Sequence, residues 1–326
     1  MIKLAVKLFI GNFLAATAHF LIESEEDIYY VKTLTQQLSE EQLALLPTEE
    51  DIAFYEEHGW FITPKQVIPD EVIDEAIAGS EKFYRGERDA ILPYSTGYSD
   101  WKPGDGDAVR NNQHVSYRKK ELRKLLLQPI IGAIAAKLAR TTEIRLFEDT
   151  LVYKAPITIA DKGGVVGWHT DYSYSSNCTS KKMLSAWIPF YDINQDRAPL
   201  VVLDGSHKWS GTEHLRCFNN QNLKEIEEKF AQTGREIVEV PMILNKGQIS
   251  FHHCCTIHGS YPNYSNSVRL AFALYLQDYA NRYQPFWNNG EQIHHFLDRV
   301  CRKLPNGEPD YSDPAIFPVL WSEAQR

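Results

Sequence analysis

Cysteine is scarce in this sequence, which has five thiols among 326 residues and no Cys-x-x-Cys pair. An odd number of cysteines without paired spacing argues against a disulfide framework. A reducing compartment suits such a chain better, and we therefore expect the protein to be cytoplasmic.

Long basic runs are also missing. The chain carries 34 Lys and Arg residues against 43 Asp and Glu residues, which gives a net charge of −9. Non-specific binding to nucleic acid depends on clustered Lys and Arg side chains that displace counterions from phosphates. The composition therefore argues against a nucleic-acid partner.

No apolar run is long and unbroken enough to cross a bilayer. The first twenty residues are largely apolar, but Lys7, Asn12 and His19 interrupt them, and a transmembrane helix needs about 20 consecutive apolar residues. We expect residues 1–47 to form a helical extension that packs on the rest of the chain or on a second copy in a homo-oligomer. A signal peptide cleaved near residues 16–18 is the alternative.

The remainder, residues 48–326, is predicted to form one large domain. Thr48 and Asp51 are typical of a helix start and Gly59 of its end, and further helices are expected over residues 69–85 and 121–140. From about residue 143, short apolar segments alternate with turn residues, with one helix at 223–233 between them. These predicted strands cover residues 144–153, 183–191, 200–203, 237–241, 248–253 and 268–277, and their pattern indicates a β-barrel or sandwich.

The segment Gly167-Trp168-His169-Thr170-Asp171 contains the first candidate site residues. In an extended strand, residues two apart point to the same face, so His169 and Asp171 can direct an imidazole and a carboxylate to one point. Taken alone, the pair fits a surface histidine beside a solvated aspartate equally well.

A second histidine late in the β-rich region, His258, can complete a set of two imidazoles and one carboxylate. Such a set leaves metal positions open and suits non-haem Fe(II) better than a closed zinc site. Eleven residues later, Arg269 lies within an apolar predicted strand, where an unpaired buried charge is costly. It is either exposed at a barrel rim or forms a bidentate grip on a carboxylate.

Other histidines and cysteines are interpreted as structural. The run His252-His253-Cys254-Cys255 resembles a zinc cluster, but neighbours on a strand alternate faces and should not converge on one ion. We expect His253 to contact the metal ligands without binding the metal itself, and both cysteines to pack in the core. His294 and His295 are expected on the surface of a helical segment.

Together these motifs resemble the phytanoyl-CoA dioxygenase family of Fe(II)- and 2-oxoglutarate-dependent oxygenases over about residues 47–321. The resemblance is carried by the segments EEDIAFYEEHGWFI, LFEDTLVYKAP, GWHTDYSY, LSAWIPFYDINQDRAPLVVLDGSHK and GQISFHHCCTIHGSYPNYSNSVRLAFALYL. It departs from the family where Asp204 precedes Gly-Ser-His in place of a frequent proline. The resemblance implies a mainly β fold with flanking helices, the double-stranded β-helix or cupin-like jelly roll.

The resemblance also implies roles for single residues. His169, Asp171 and His258 match the metal ligands, and Arg269 matches the anchor for the 2-oxoglutarate carboxylate. Further residues match the pocket of that co-substrate: Ser260, Trp187, Lys154 and Gln113. The implied cofactors are Fe(II), 2-oxoglutarate and O2, and the implied reaction oxidises, most simply hydroxylates, a small organic or natural-product substrate with release of succinate and CO2.

Three other functions remain open at this point. A cupin-like metal isomerase or hydrolase would use the same barrel without needing Arg269. A non-catalytic binding barrel would need neither the three ligands nor the carboxylate anchor. An iron halogenase would replace the carboxylate ligand by a small residue, which the presence of Asp171 opposes. The motifs do not identify the substrate.

Overall fold

The computed structural model of this protein describes residues 38–90, 100–101, 108–159 and 164–323. Most of the predicted extension over residues 1–47 lies outside them, apart from a short helix, α1 (Glu40–Leu43). Within the described ranges, no helix combines the length and the apolar character that crossing a bilayer requires.

Four more helices follow α1 before the first long strand: α2 (Glu49–His58), α3 (Asp70–Tyr84), α4 (Lys120–Leu126) and α5 (Pro129–Leu138). The predicted capping of α2 is confirmed, because the Thr48 side chain accepts from the Asp51 N–H and the Asp51 carboxylate accepts from the Thr48 N–H. Gly59 ends the helix with φ +78°, a conformation that glycine adopts without a steric cost. Two later helices are α6 (Leu223–Ala231) and α7 (Leu297–Val300).

The strands form two main antiparallel sheets. The larger sheet has the order β1 (Trp60–Ile62), β8 (Ser250–His253), β5 (Leu184–Pro189), β10 (Arg269–Asp278), β3 (Glu143–Lys154) and β13 (Val319–Ser322), with β2 (Val109–Gln113) also paired to β3. The smaller sheet has the order β4 (Val166–His169), β9 (His258–Ser260), β6 (Val201–Leu203) and β7 (Glu239–Pro241). A separate hairpin joins β11 (Phe286–Asn288) to β12 (Glu291–Ile293). The predicted mainly β jelly roll with flanking helices is confirmed.

The outer face of the larger sheet packs on the helices. Leu151, Phe272 and Ile188 are neighbours across three strands, and all three lie in one buried apolar cluster with residues of α2, α3, α4 and α5. Burying a large apolar side chain contributes about 1.5–3 kcal/mol, so this face supplies much of the stability. The strand residues between them point to the opposite, inner face.

That inner face carries polar side chains in cross-strand rows. One row contains Lys154 and Arg269. A second contains Gln113, Thr150, Ala273, Trp187 and Ser250. A third contains Glu148, Tyr275, Ser185 and His252. The candidate site lies between these rows and the smaller sheet.

Candidate metal and co-substrate site

His169, Asp171 and His258 converge at one end of the smaller sheet. His169 ends β4 and His258 begins β9, and the two are cross-strand partners. The predicted continuous strand is only partly correct, because Thr170 is extended (φ −112°, ψ 143°) but Asp171 begins a 3-10 turn. The carboxylate still meets both imidazoles, and one ligand atom from each residue lies within 4.8 Å of the others.

Hydrogen bonds orient both imidazoles. Nδ1 of His169 lies 2.8 Å from the Gly167 carbonyl oxygen, and Nδ1 of His258 lies 3.0 Å from that of Thr256. A carbonyl oxygen only accepts, so each Nδ1 carries a proton, and in the neutral imidazole each Nε2 then has a free lone pair. These Nε2 atoms lie 4.0 and 3.4 Å from Oδ1 of Asp171, an arrangement that suits a shared cation.

The other carboxylate oxygen of Asp171, Oδ2, accepts two hydrogen bonds. Oδ2 accepts from the Ser185 hydroxyl at 2.5 Å and from Nε2 of His252 at 3.0 Å. Burial alone would raise the pKa of Asp171, but His258 and His252 outweigh it and hold the pKa well below its ordinary value. The supporting histidine is therefore His252, and the prediction of this role for His253 was wrong, since His252 is the residue that points inward.

A second group of predicted residues forms a cluster of positive charge. Nζ of Lys154 donates to the Ser260 hydroxyl at 2.5 Å and to the Tyr261 carbonyl at 2.8 Å, and Nη2 of Arg269 lies 3.4 Å from the same hydroxyl. Burial lowers the pKa of Arg269 to about 10, and burial with the Arg269 charge lowers that of Lys154 well below its usual range.

Neither cation has an anionic partner among the described residues, and Nε of Arg269 is buried with no hydrogen bond there. Arg269 is 3% exposed and Lys154 is fully buried, so the rim position considered for Arg269 is wrong. Two buried, unpaired cations are costly without an anion. The arrangement fits a carboxylate that arrives with a ligand.

Trp187 and Gln113 both lie on the inner face, at different distances from these cations. The Arg269 guanidinium carbon lies 5.5 Å from the Trp187 ring centroid, so the indole forms one wall beside the cations. Gln113 pairs with Thr150, whereas Val109, four residues away on the same strand, pairs with Lys154. The strand rise then separates Gln113 from the cations by about 13 Å, and the structure does not bring it to them.

Sequence reasoning missed a second polar cluster, formed by the buried Glu148 and His114 and the partly buried His295. Nε2 of His295 donates to Oε2 of Glu148 at 3.0 Å, so the prediction of a surface, helical His295 was wrong. Oε1 of Glu148 and both ring nitrogens of His114 are buried without hydrogen-bond partners in the described parts of the chain. Burial lowers the pKa of His114 to about 4. The available signal was Glu148 itself, a carboxylate inside an apolar strand.

Comparisons with known proteins indicate the same family as the sequence motifs. Residues 55–271 match the family described as Phytanoyl-CoA dioxygenase (PhyH). A probable alpha-ketoglutarate-dependent hypophosphite dioxygenase of Stutzerimonas stutzeri is 27% identical over 136 residues, which are 40% of this chain and 44% of that protein. The peroxisomal phytanoyl-CoA dioxygenase of Mus musculus is 25% identical over 238 residues, 70% of this chain and 68% of that protein.

A similar solved structure is that of SnoK, a non-heme alpha ketoglutarate dependent carbocyclase from nogalamycin biosynthesis. The TM-score is 0.62 at 23% identity, covering 84% of this chain and 96% of SnoK. At this identity the likeness supports the fold alone. Fold and family together define an oxygenase that depends on iron and 2-oxoglutarate and acts on a small molecule. The chain belongs to the phytanoyl-CoA dioxygenase family, whose match covers well over half of its length.

Proposed function

We propose that this enzyme hydroxylates a C–H bond of a small organic substrate, with His169, Asp171 and His258 holding Fe(II). We propose further that Arg269 binds 2-oxoglutarate, which is converted to succinate and CO2. The proposal rests on two buried, unpaired cations, Lys154 and Arg269. They lie on the same inner face as Ser185 and His252, which hydrogen-bond to Asp171.

The three proposed ligands fit a divalent iron. Two neutral imidazoles and one carboxylate are the ligand set of non-haem Fe(II) oxygenases, and they leave positions open for small ligands. Burial lowers the pKa of His169 to about 3, which favours the neutral imidazole that a metal requires. When bound, the metal and 2-oxoglutarate together supply the activation of dioxygen.

The cation cluster fits the distal carboxylate of a keto acid. Arg269 offers donors in a fork, and the Ser260 hydroxyl, whose oxygen accepts from Lys154 and Arg269, keeps its O–H free to donate to a carboxylate. Trp187 closes the space next to the guanidinium and excludes water from the charge pair. A cupin-like isomerase or hydrolase, or a binding barrel, would not require two cations held unpaired in this position.

The substrate is proposed to bind toward Glu148, away from Arg269. Glu148 lies in the same cross-strand row as Ser185 and His252, which support Asp171, whereas Arg269 lies six residues along β10 from Tyr275 of that row. A co-substrate between the metal and Arg269 leaves the Glu148 side of the barrel free. Oε1 of Glu148 and the ring nitrogens of His114, which lack partners among the described residues, would then form hydrogen bonds with polar groups of the substrate.

Anaerobic titration tests the proposed ligands. The chain is loaded with one equivalent of Fe(II) and then with 2-oxoglutarate, and the weak visible charge-transfer band of keto-acid chelation is recorded. We expect one iron, one 2-oxoglutarate and that band. Bound iron without the band would favour the isomerase or hydrolase. Succinate release against a panel of small organic compounds then identifies the substrate, and its oxidised product shows whether hydroxylation is correct.

Three further proposals concern the whole chain. We propose that residues 48–326 form the oxygenase domain, which is supported by the family match beginning at residue 55. We also propose that residues 1–47 are an extension through which two copies associate, and that the protein works in the cytoplasm, as its unpaired cysteines suggest. Light scattering of the full chain and of a chain lacking residues 1–37 tests the association.

A further inference from the structure

His253, Cys254 and Cys255 form a compact donor group outside the proposed iron site. His253 is the last residue of β8, and the two cysteines form the turn that follows it. The sulfur atoms lie 3.9 Å apart, and Sγ of Cys254 lies 4.0 Å from Nδ1 of His253. The expectation that these residues cannot converge was wrong, because strand alternation ends where β8 ends.

We propose that His253, Cys254 and Cys255 bind a soft d10 cation such as Zn²⁺ or Cu⁺. Thiolates select such cations over Fe(II) and Mg²⁺. With zinc–sulfur bonds of about 2.3 Å, two sulfurs of a tetrahedral site lie about 3.8 Å apart, close to the separation observed here. Three protein ligands leave one position for water or another small ligand. This inference does not depend on the proposed oxygenase reaction.

The same geometry disfavours a disulfide. A sulfur–sulfur bond is about 2.0 Å long, so bridging Cys254 and Cys255 would require the turn to rearrange, whereas a cation of ordinary radius would not. Cys254 donates to the Lys181 carbonyl at 3.5 Å, and the Cys255 N–H donates to Nδ1 of His253 at 3.1 Å. A bound cation would replace this second bond.

Charge around the turn favours the thiolate of Cys255, whereas burial and the neighbouring Cys255 raise the pKa of Cys254. The Lys181 ammonium interacts electrostatically with Cys255 and lies 5.5 Å from the Tyr172 ring centroid. A nearby cationic side chain stabilises the thiolate form that a metal needs. Both cysteines are 3% exposed while His253 is partly exposed, so a cation would reach the sulfurs past the imidazole.

The proposed site is separated from the iron site by the backbone of β8. His252 points inward to Asp171, and His253, its neighbour, points to the other side. The cysteines nevertheless begin the connection that reaches His258 three residues after Cys255. Cation binding would therefore restrict the motion of the segment that leads to His258, without using any of the three proposed iron ligands.

Titration of the reduced full chain with Cd²⁺ tests the proposal, since the cadmium–thiolate charge-transfer band in the ultraviolet reports only sulfur ligation. We expect one cadmium per chain with this band. Cys254→Ser and Cys255→Ser should each weaken the affinity by more than about tenfold, since each removes one of three protein ligands. His253→Gln should weaken it while keeping the band, and Cys217→Ser, which alters a partly exposed thiol elsewhere, should change nothing.

Some results would overturn the site. They are the absence of the band, its survival in both Cys254→Ser and Cys255→Ser, its loss in Cys217→Ser, or a Cys254–Cys255 disulfide that forms in air while the reduced chain takes up no cadmium. X-ray absorption of the unmodified chain with one equivalent of Cd²⁺ avoids any folding defect of the variants. We expect two sulfur neighbours, and a spectrum without sulfur neighbours would refute the proposal.

Discussion

Nε2 of His252 lies 3.0 Å from Oδ2 of Asp171, whereas His169 and His258 are nearest to the other carboxylate oxygen, Oδ1. The Ser185 hydroxyl donates a hydrogen bond to the same oxygen as His252, Oδ2, at 2.5 Å. These two hydrogen bonds fix the carboxylate with Oδ1 toward the two imidazoles. A preorganised ligand loses less conformational freedom when a metal binds.

His252→Ala should lower the affinity for Fe(II) by about 10–100-fold, the usual effect of removing a group that orients a metal ligand. The matched control is His253→Ala, one residue further along the same strand, which should leave iron affinity unchanged. Anaerobic iron titration of both variants decides the matter. Equal iron affinities in the two variants would show that His252 does not position Asp171.

Arg269→Ala should weaken 2-oxoglutarate binding and leave iron binding nearly intact. Removing one partner of a buried charge pair costs about 2–5 kcal/mol, and Arg269 is 3% exposed. Arg269→Lys keeps the charge but loses the fork, and should recover only part of the affinity. Calorimetric titration of 2-oxoglutarate into the iron-loaded variants provides the measurement, and parental affinity in Arg269→Ala would contradict the assignment.

Glu148→Gln should raise the KM for the substrate while leaving the affinities for iron and 2-oxoglutarate unchanged. The amide keeps the shape but loses the negative charge that His295 and the proposed substrate share. Succinate release measured against substrate concentration separates KM from kcat. A loss of iron binding in this variant would mean that Glu148 supports the metal site instead.

The sequence predicts the fold well wherever a pattern is local. The cap at Thr48, the positive φ at Gly59 and the strand of residues 144–153 follow from nearest neighbours along the chain. The ends of strands are less predictable, because β4 stops at His169 when Asp171 enters a 3-10 turn. For the same reason, strand alternation gave the wrong geometry for Cys254 and Cys255.

Roles that depend on partners distant in the chain could not be predicted. Whether His252 or His253 faces Asp171 depends on the register of β8 against β5, where Ser185 opposes His252. His295 forms a hydrogen bond with Glu148, 147 residues earlier in the chain, and no local sequence pattern predicts this contact. Motif resemblance indicated Arg269 and Lys154, but it could not show that both remain unpaired within the described residues.

Asp171→Gly and Asp204→Gly form the sharpest pair of variants for the metal assignment. Asp204 has no role at the proposed site, because its carboxylate accepts from Nδ1 of His58 at 2.9 Å and from Nε1 of Trp60 at 2.7 Å. Losing these bonds should lower the free energy of unfolding by about 1–3 kcal/mol, since the half-buried donors lose their partner. Iron affinity and succinate release should stay at the parental level.

Asp171→Gly removes the only anionic group among the three proposed ligands and leaves two neutral imidazoles. Iron should bind more weakly, and succinate release should fall to background, because the remaining donors neither neutralise the cation nor fix its position. Iron stoichiometry and succinate release are measured for both variants at equal protein concentration, with thermal unfolding to separate stability from ligation. If Asp171→Gly kept parental iron affinity and turnover, the ligand set would be wrong, and Glu148, a buried carboxylate on the inner face, would be the next residue to test.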